Sequence, residues 1–217
     1  MQKANTITNN KKRSIFLSIK TILAVLLATI LSIKYLDTEI AIRVIHFLKA
    51  VPMFYKVSKG IPDLLLHFVL VATALMWAMY FYRLHKKKID AETQFLQLAA
   101  TVLPAAFMEK TLLKFVFGRT SPRVSYIYNQ QSTFHWFKTW HSSFPSGHMV
   151  VFAAFGAAVA IYYPKYRREI LIFLILLEAA LIGTDYHFLS DVIGGWYLGF
   201  ATTYLVKYLI EKFLKVV

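Results

Sequence analysis

The sequence predicts an all-α membrane protein: six transmembrane helices plus a short interfacial amphipathic helix, in one domain. Three observations carry that reading. The chain is 58% hydrophobic, where a soluble domain is nearer about 45–50% apolar. Apolar runs of membrane-spanning length recur almost end to end. The basic residues behind the formal charge of +14 stand in short clusters between those runs, as membrane proteins use them to set topology.

Residues 1–14 are a polar tail ending in Lys11, Lys12 and Arg13, and residues 15–36 are the first apolar run. That run is long for a signal-peptide core and no small-x-small cleavage site closes it, so it reads as an uncleaved first helix. In 37–60, Ile40, Val44, Phe47, Leu48, Val51 and Tyr55 recur at helical spacing, with Arg43, His46, Lys49 and Lys56 on other faces. This amphipathic pattern predicts a helix lying in the interface, ended or kinked by Pro52. Further spans are expected at 62–82, 93–113, 148–163, 169–184 and 191–211, and together with the first they make 15–217 a single domain.

The breaks assign sides. Arg83-Leu84-His85-Lys86-Lys87-Lys88 is a basic loop, and Pro164-Lys165-Tyr166-Arg167-Arg168 a tight basic turn. With the N-terminus in the cytoplasm, six crossings put 83–90, 164–168 and Lys207, Lys212 and Lys215 on the same side. Both termini are then cytoplasmic, in a plasma (inner) membrane protein, and 37–60, 114–147 and 185–190 face the extracytoplasmic side. Read by position, the positive charge points to membrane lipids as partners and to no nucleic acid. The absence of cysteine excludes disulfides, thiolate catalysis and cysteine-based metal sites.

The outer side collects the chemistry. The third span exits into Lys114-Phe115-Val116-Phe117-Gly118-Arg119-Thr120-Ser121-Pro122-Arg123. The fourth starts from Pro145-Ser146-Gly147-His148, a helix start whose free N–H groups favour an anion such as phosphate. Ser146 adds a hydroxyl, Gly147 permits close backbone approach, and His148 lies in the first turn. His187 and Asp191, four apart, share one helix face. A carboxylate on one ring nitrogen orients an imidazole whose other nitrogen can attack or pass a proton. Lys114, Arg119 and Arg123 supply positive charge for phosphoryl oxygens. Each signal is common alone; their conjunction in order on one side is not. Glu178, mid-span in the fifth helix, and the pair Glu109 and Lys110 read as structural. The aromatic run Phe134, His135, Trp136, Phe137 and Trp140 reads as an interfacial anchor, and Asp185 as a loop carboxylate.

Taken together, these motifs resemble the type 2 phosphatidic acid phosphatase superfamily of membrane lipid phosphatases. Its signature is Lys-x6-Arg-Pro, then Pro-Ser-Gly-His, then Ser-Arg-x5-His-x3-Asp. Here the matches are Lys114 through Pro122, Pro145 to His148, and His187 with Asp191, and the resemblance spans roughly residues 60–211. It implies that His187 attacks phosphorus and forms a phosphohistidine, Asp191 orients it and His148 protonates the leaving group. Lys114 and the amides of Ser146 and Gly147 would hold the phosphate, with no metal and no cofactor. The substrate would be a lipid phosphate or diphosphate. Two positions depart: Ser121 stands at the arginine of the first motif, and Ala180-Leu181 at the Ser-Arg of the third. Arg119 and Arg123, two residues either side of Ser121, are expected to replace that charge. The alternatives are a lipid phosphotransferase of the same superfamily, or an inactive phospholipid-binding or transport protein.

Overall fold

The computed structural model describes residues 18–51, 53, 56, 64–127, 133–138 and 142–213. The basic tail, Pro52, Tyr55, Trp140 and Lys215 lie outside the described residues. Within them the chain is helical: α1 (Ile19–Leu31), a π turn (Ser32–Leu36), α2 (Asp37–Ala50), α3 (Leu65–His85), α4 (Ala91–Phe117), the short α5 (Pro122–Ile127), α6 (Gly147–Tyr162), a 3-10 turn (Pro164–Tyr166), α7 (Arg167–Gly183) and α8 (Leu189–Phe213).

Local chemistry sets the ends. The Ser18 hydroxyl accepts from the Thr21 N–H at 3.2 Å and starts α1. The Asp90 carboxylate accepts from the Thr93 N–H at 3.0 Å and starts α4, and Arg83 at the end of α3 pairs with Asp90 at 2.6 Å and Glu92 at 2.8 Å, tying the two helices together. At the other end of α4, Gly118 takes the left-handed conformation with φ 53°, the usual helix stop.

One expectation is corrected. The amphipathic stretch after residue 36 is not a separate interfacial helix; α1, the π turn and α2 form one continuous helix, Ile19–Ala50, of 32 residues. No glycine or proline interrupts it, so no backbone group provides a break. The π turn adds a residue to one turn and so re-phases the faces just before Asp37. Asp37, Ile45 and Leu48 then point inward, while Phe47, expected on the apolar face, points out.

Among the described residues two helices, Ile19–Ala50 and Leu65–His85, are long and apolar enough to cross a membrane, and Gly147–Tyr162 is a shorter apolar helix. Large apolar side chains cover the exterior, among them Leu23 and Leu27 on α1, Leu70 and Leu75 on α3, and Phe173 and Leu176 on α7. The interior is built from smaller residues. Ala99, Val102, Ala106, Val150, Val151 and Ala154 pack α4 against α6. The contact of α6 with α8 is closer still: a Cβ on Gly195 would lie 2.8 Å from the Met149 Cβ, and one on Gly199 only 2.4 Å from the Val150 carbonyl oxygen. Glycines four apart thus let two helix backbones touch, which sets the start of α6 beside the start of α8.

Candidate active site

The end of α4, the start of α6 and the start of α8 meet at one end of the bundle. The left-handed Gly118 swings the chain off α4, and the site tolerates no side chain there, because a Cβ would lie 2.0 Å from the His135 carbonyl oxygen. Two isolated bridges, Arg119 with Phe134 and Thr120 with Ser142, then lace the following strand of chain to the segment leading into α6. The Ser143 N–H donates to the Arg119 carbonyl at 2.7 Å. The described part of the stretch between α4 and α6 is therefore cross-linked, and α5 sits inside it.

At the start of α6, Ser146 is fully buried and its N–H donates to the Asp191 carbonyl at 3.0 Å, joining the two helix starts directly. A Cβ on Gly147 would lie 3.0 Å from Cδ and 3.5 Å from Nζ of Lys110, so this glycine makes room for a lysine side chain beside the helix start. The half-buried ring of His148 stands edge-on to Tyr186 with centroids 6.0 Å apart, and Tyr186 stands 5.5 Å from His187. One tyrosine thus borders both histidines.

His187 is 3% exposed, and neither ring nitrogen has a hydrogen-bond partner among the described residues. Its Nδ1 faces Asp191 Oδ2 at 3.6 Å, beyond hydrogen-bond length. Burial pushes the imidazole below the ordinary histidine value; Lys114 pushes the same way and Asp191 opposes. His187 is thereby held neutral, with a lone pair available. Asp191 is fixed on both oxygens: Oδ2 accepts from the Phe188 N–H at 2.9 Å and Oδ1 from Arg119 at 2.7 Å. The first contact is the carboxylate half of a capping box at the start of α8.

The cations expected around a phosphate divide into two groups. Lys114, in the last turn of α4, acts electrostatically on His187. Arg123, on α5, donates to the Thr184 carbonyl at 2.9 Å and lies over the Tyr186 ring at 5.7 Å, against the turn that leads into His187. Arg119 is placed differently. It is 1% exposed, it donates to Asp37, Ser190 and Asp191, and its guanidinium stacks 4.2 Å over Phe188. Its position is beneath the histidine, among carboxylates. Leu181, at the third-motif arginine position, is a buried apolar side chain packed with Met149, Ala153, Leu174 and Val192. Ser121 accepts from the Val124 N–H and starts α5.

Two participants escaped sequence reading. Asp37 is 1% exposed and accepts from Arg119 at 2.7 Å and from the Ser190 N–H at 3.0 Å; a carboxylate within a long apolar helix was the available signal. Lys110 lies along Gly147 rather than simply beside its neighbour Glu109, which accepts from Thr202 on α8. Asp185, with φ 58° and one carboxylate oxygen lacking a partner, is pushed up to about 7 by burial against the pull of Arg123. Phe117 gathers Phe134, Trp136 and Phe144 around it, with Trp136 exposed at the rim. Glu178 is half-buried on α7. Among the described residues no group of three His, Asp or Glu side chains could hold a metal ion. A cavity of about 360 Å³ lined by Gln94, Gln97, Tyr162, Lys207 and Glu211 lies at the opposite end of α4, α6 and α8.

Comparison with known proteins gives two matches. The model of the PAP2 superfamily matches residues 94–215. A transmembrane PAP2-type phosphatidylglycerolphosphate phosphatase from Bacillus subtilis, solved by crystallography, is similar at 18% identity, with 90% of this chain and 98% of that chain covered and a TM-score of 0.41. No curated protein sequence matches the chain.

Proposed function

The chain belongs to the PAP2 superfamily, and from that premise we propose that it is a membrane phosphatase for lipid phosphates or diphosphates, working through a phosphohistidine on His187. The observation that carries this reading is the buried His187, whose Nδ1 faces Asp191 at 3.6 Å and whose ring lies beside the Tyr186–His148 pair. A structural histidine at that depth would be expected to spend its ring nitrogens on hydrogen bonds; one that keeps a lone pair is suited to attack.

With its proton on Nδ1 toward Asp191, His187 attacks phosphorus through Nε2. The bond from phosphorus to the leaving oxygen breaks (the lipid oxygen of a monophosphate, the bridging oxygen of a diphosphate), its electron pair goes to that oxygen, and protonated His148 supplies the proton. Neutral His148 then takes a proton from water, whose oxygen bonds to phosphorus as the P–N bond breaks. Phosphate leaves and His187 recovers its lone pair. The α6 start at Ser146 and Gly147 receives the phosphoryl oxygens, with Lys114, Arg123 and Lys110 as cations. Lys110 precedes Lys114 by one helical turn, so both ammonium groups serve one face. With Ser121 and Leu181 at two arginine positions, these three are the charge that replaces them.

In this reading the chain crosses the plasma membrane six times, with the site at the extracytoplasmic face and both termini inside; the basic loop 83–90 and turn 164–168 support that orientation. The exposed apolar side chains support embedding, since water would penalise so large a hydrocarbon exterior. The test is phosphate release by detergent-purified protein from a panel of lipid phosphates and diphosphates with EDTA present. Release that His187→Ala abolishes supports the reading. Release that survives in His187→Ala, or none from folded wild type on any lipid, overturns it.

A further inference from the structure

Beneath the nucleophile lies a buried charge cluster that the phosphatase signature does not require. Arg119 is 1% exposed, Asp37 1% and Asp191 0%. One guanidinium nitrogen of Arg119 donates to Asp191 Oδ1 and the other to Asp37 Oδ2, both at 2.7 Å. Asp37 also accepts from the N–H and the hydroxyl of Ser190, the residue beside Asp191. The first helix, the end of α4 and the start of α8 are thus joined in a closed ring of charge-assisted hydrogen bonds. Asp37 lies outside the stretch matched by the family model, 94–215.

We propose that Asp37 and Arg119 are positioning residues for the nucleophile, so that the N-terminal helix is a working part of the active site. The proposal rests on the reading of His187 as nucleophile. Stability alone is a poor reason for such a cluster, because desolvating three ions costs about as much as their attraction returns and apolar replacements are often as stable. Geometry and charge give a better reason. Arg119 fixes one oxygen of Asp191 while the Phe188 N–H fixes the other, so the carboxylate cannot rotate away from His187 Nδ1. Alone, however, Arg119 would neutralise Asp191. Asp37 brings the trio to a net charge of −1, restoring a negative field under His187. That field matters when Nε2 bonds to phosphorus and the imidazole becomes cationic. The π turn at Ser32–Leu36 immediately precedes Asp37 and sets the phase that turns it inward.

Asp37→Asn is the discriminating variant, because the remaining Arg119 and Asp191 still balance and no buried ion is left alone. Arg119→Lys keeps the charge but lacks the fork that serves two carboxylates. Kinetics are measured on the full-length protein in detergent, normalised to the folded fraction, with inhibition by inorganic phosphate as the probe of the binding cradle. We expect both variants to lose about tenfold or more in kcat, as outer-shell ligands of reactive groups do, with KM and phosphate inhibition within about twofold, and Asp37→Glu to recover part of the loss. Asp37→Asn with wild-type kcat per folded molecule overturns the proposal. So does a loss carried wholly by KM or by phosphate binding. His187→Ala in the same series keeps the failures apart: activity surviving there overturns the phosphohistidine reading itself.

Discussion

Asp185 shows how a single side chain at this site couples to pH. Its carboxyl is buried, one oxygen lacks a partner, and burial lifts it to about 7. An acid whose folded value is raised favours folding while protonated, so its contribution is fully present below the unfolded value and lost as pH rises toward 7. Asp185→Asn removes the charge, and asparagine accepts the left-handed φ of 58° well. The variant should therefore melt higher than wild type at pH 8, with the gap closing by pH 4; thermal melts at the two values check it, and an equal gap at both contradicts it. Lys110 is argued from its side chain beside Gly147: Lys110→Met should raise KM for a lipid phosphate several-fold with a smaller change in kcat, as steady-state kinetics would read. At this scale, the three residues that chemistry and spacing single out in the sequence, His148, His187 and Asp191, are brought to one end of the bundle. The sequence was silent where contacts are long-range. Asp37 meets Ser190 across 153 positions, and no linear pattern announces that. Nor does spacing tell that the left-handed Gly118 is followed by an Arg119 buried among Asp37, Ser190 and Asp191.

Between elements, the decisive contact is the backbone approach of α6 and α8 at Gly195 and Gly199. It holds His148 and His187 at their separation, since each sits near the start of its helix. Gly195→Val would drive a side chain into the Met149 Cβ and the Ser146 carbonyl, 2.8 and 2.9 Å from the first carbon alone. It should separate the helix starts and cut turnover by about tenfold or more while also lowering the melting temperature, a combination that activity and melts on one preparation would read. The later helices were legible within a few residues because apolar runs and their punctuation agree. The first helix was misjudged at residue 36 because the change from apolar to amphipathic pattern resembles a break. The backbone has no such break: it passes through a π turn and continues to Ala50.

For the molecule as a whole, apolar side chains form the exterior and the reactive groups collect at one end. The proposed topology is directly measurable, because the chain has no native cysteine to interfere. Thr133→Cys, on the exposed segment beside the site, should react with an impermeant maleimide in intact cells, whereas Lys165→Cys, in the basic turn, should react only after permeabilisation. Reaction of both from outside would contradict the six-crossing arrangement. The role of His187 as nucleophile is tested by a rapid quench of the protein turning over a ³²P-labelled lipid phosphate, beside His187→Ala. A phosphohistidine there gives a protein-bound label that survives alkali, is lost in acid and is absent from the variant; wild-type turnover with no such label, or a label that persists in His187→Ala, would contradict that role.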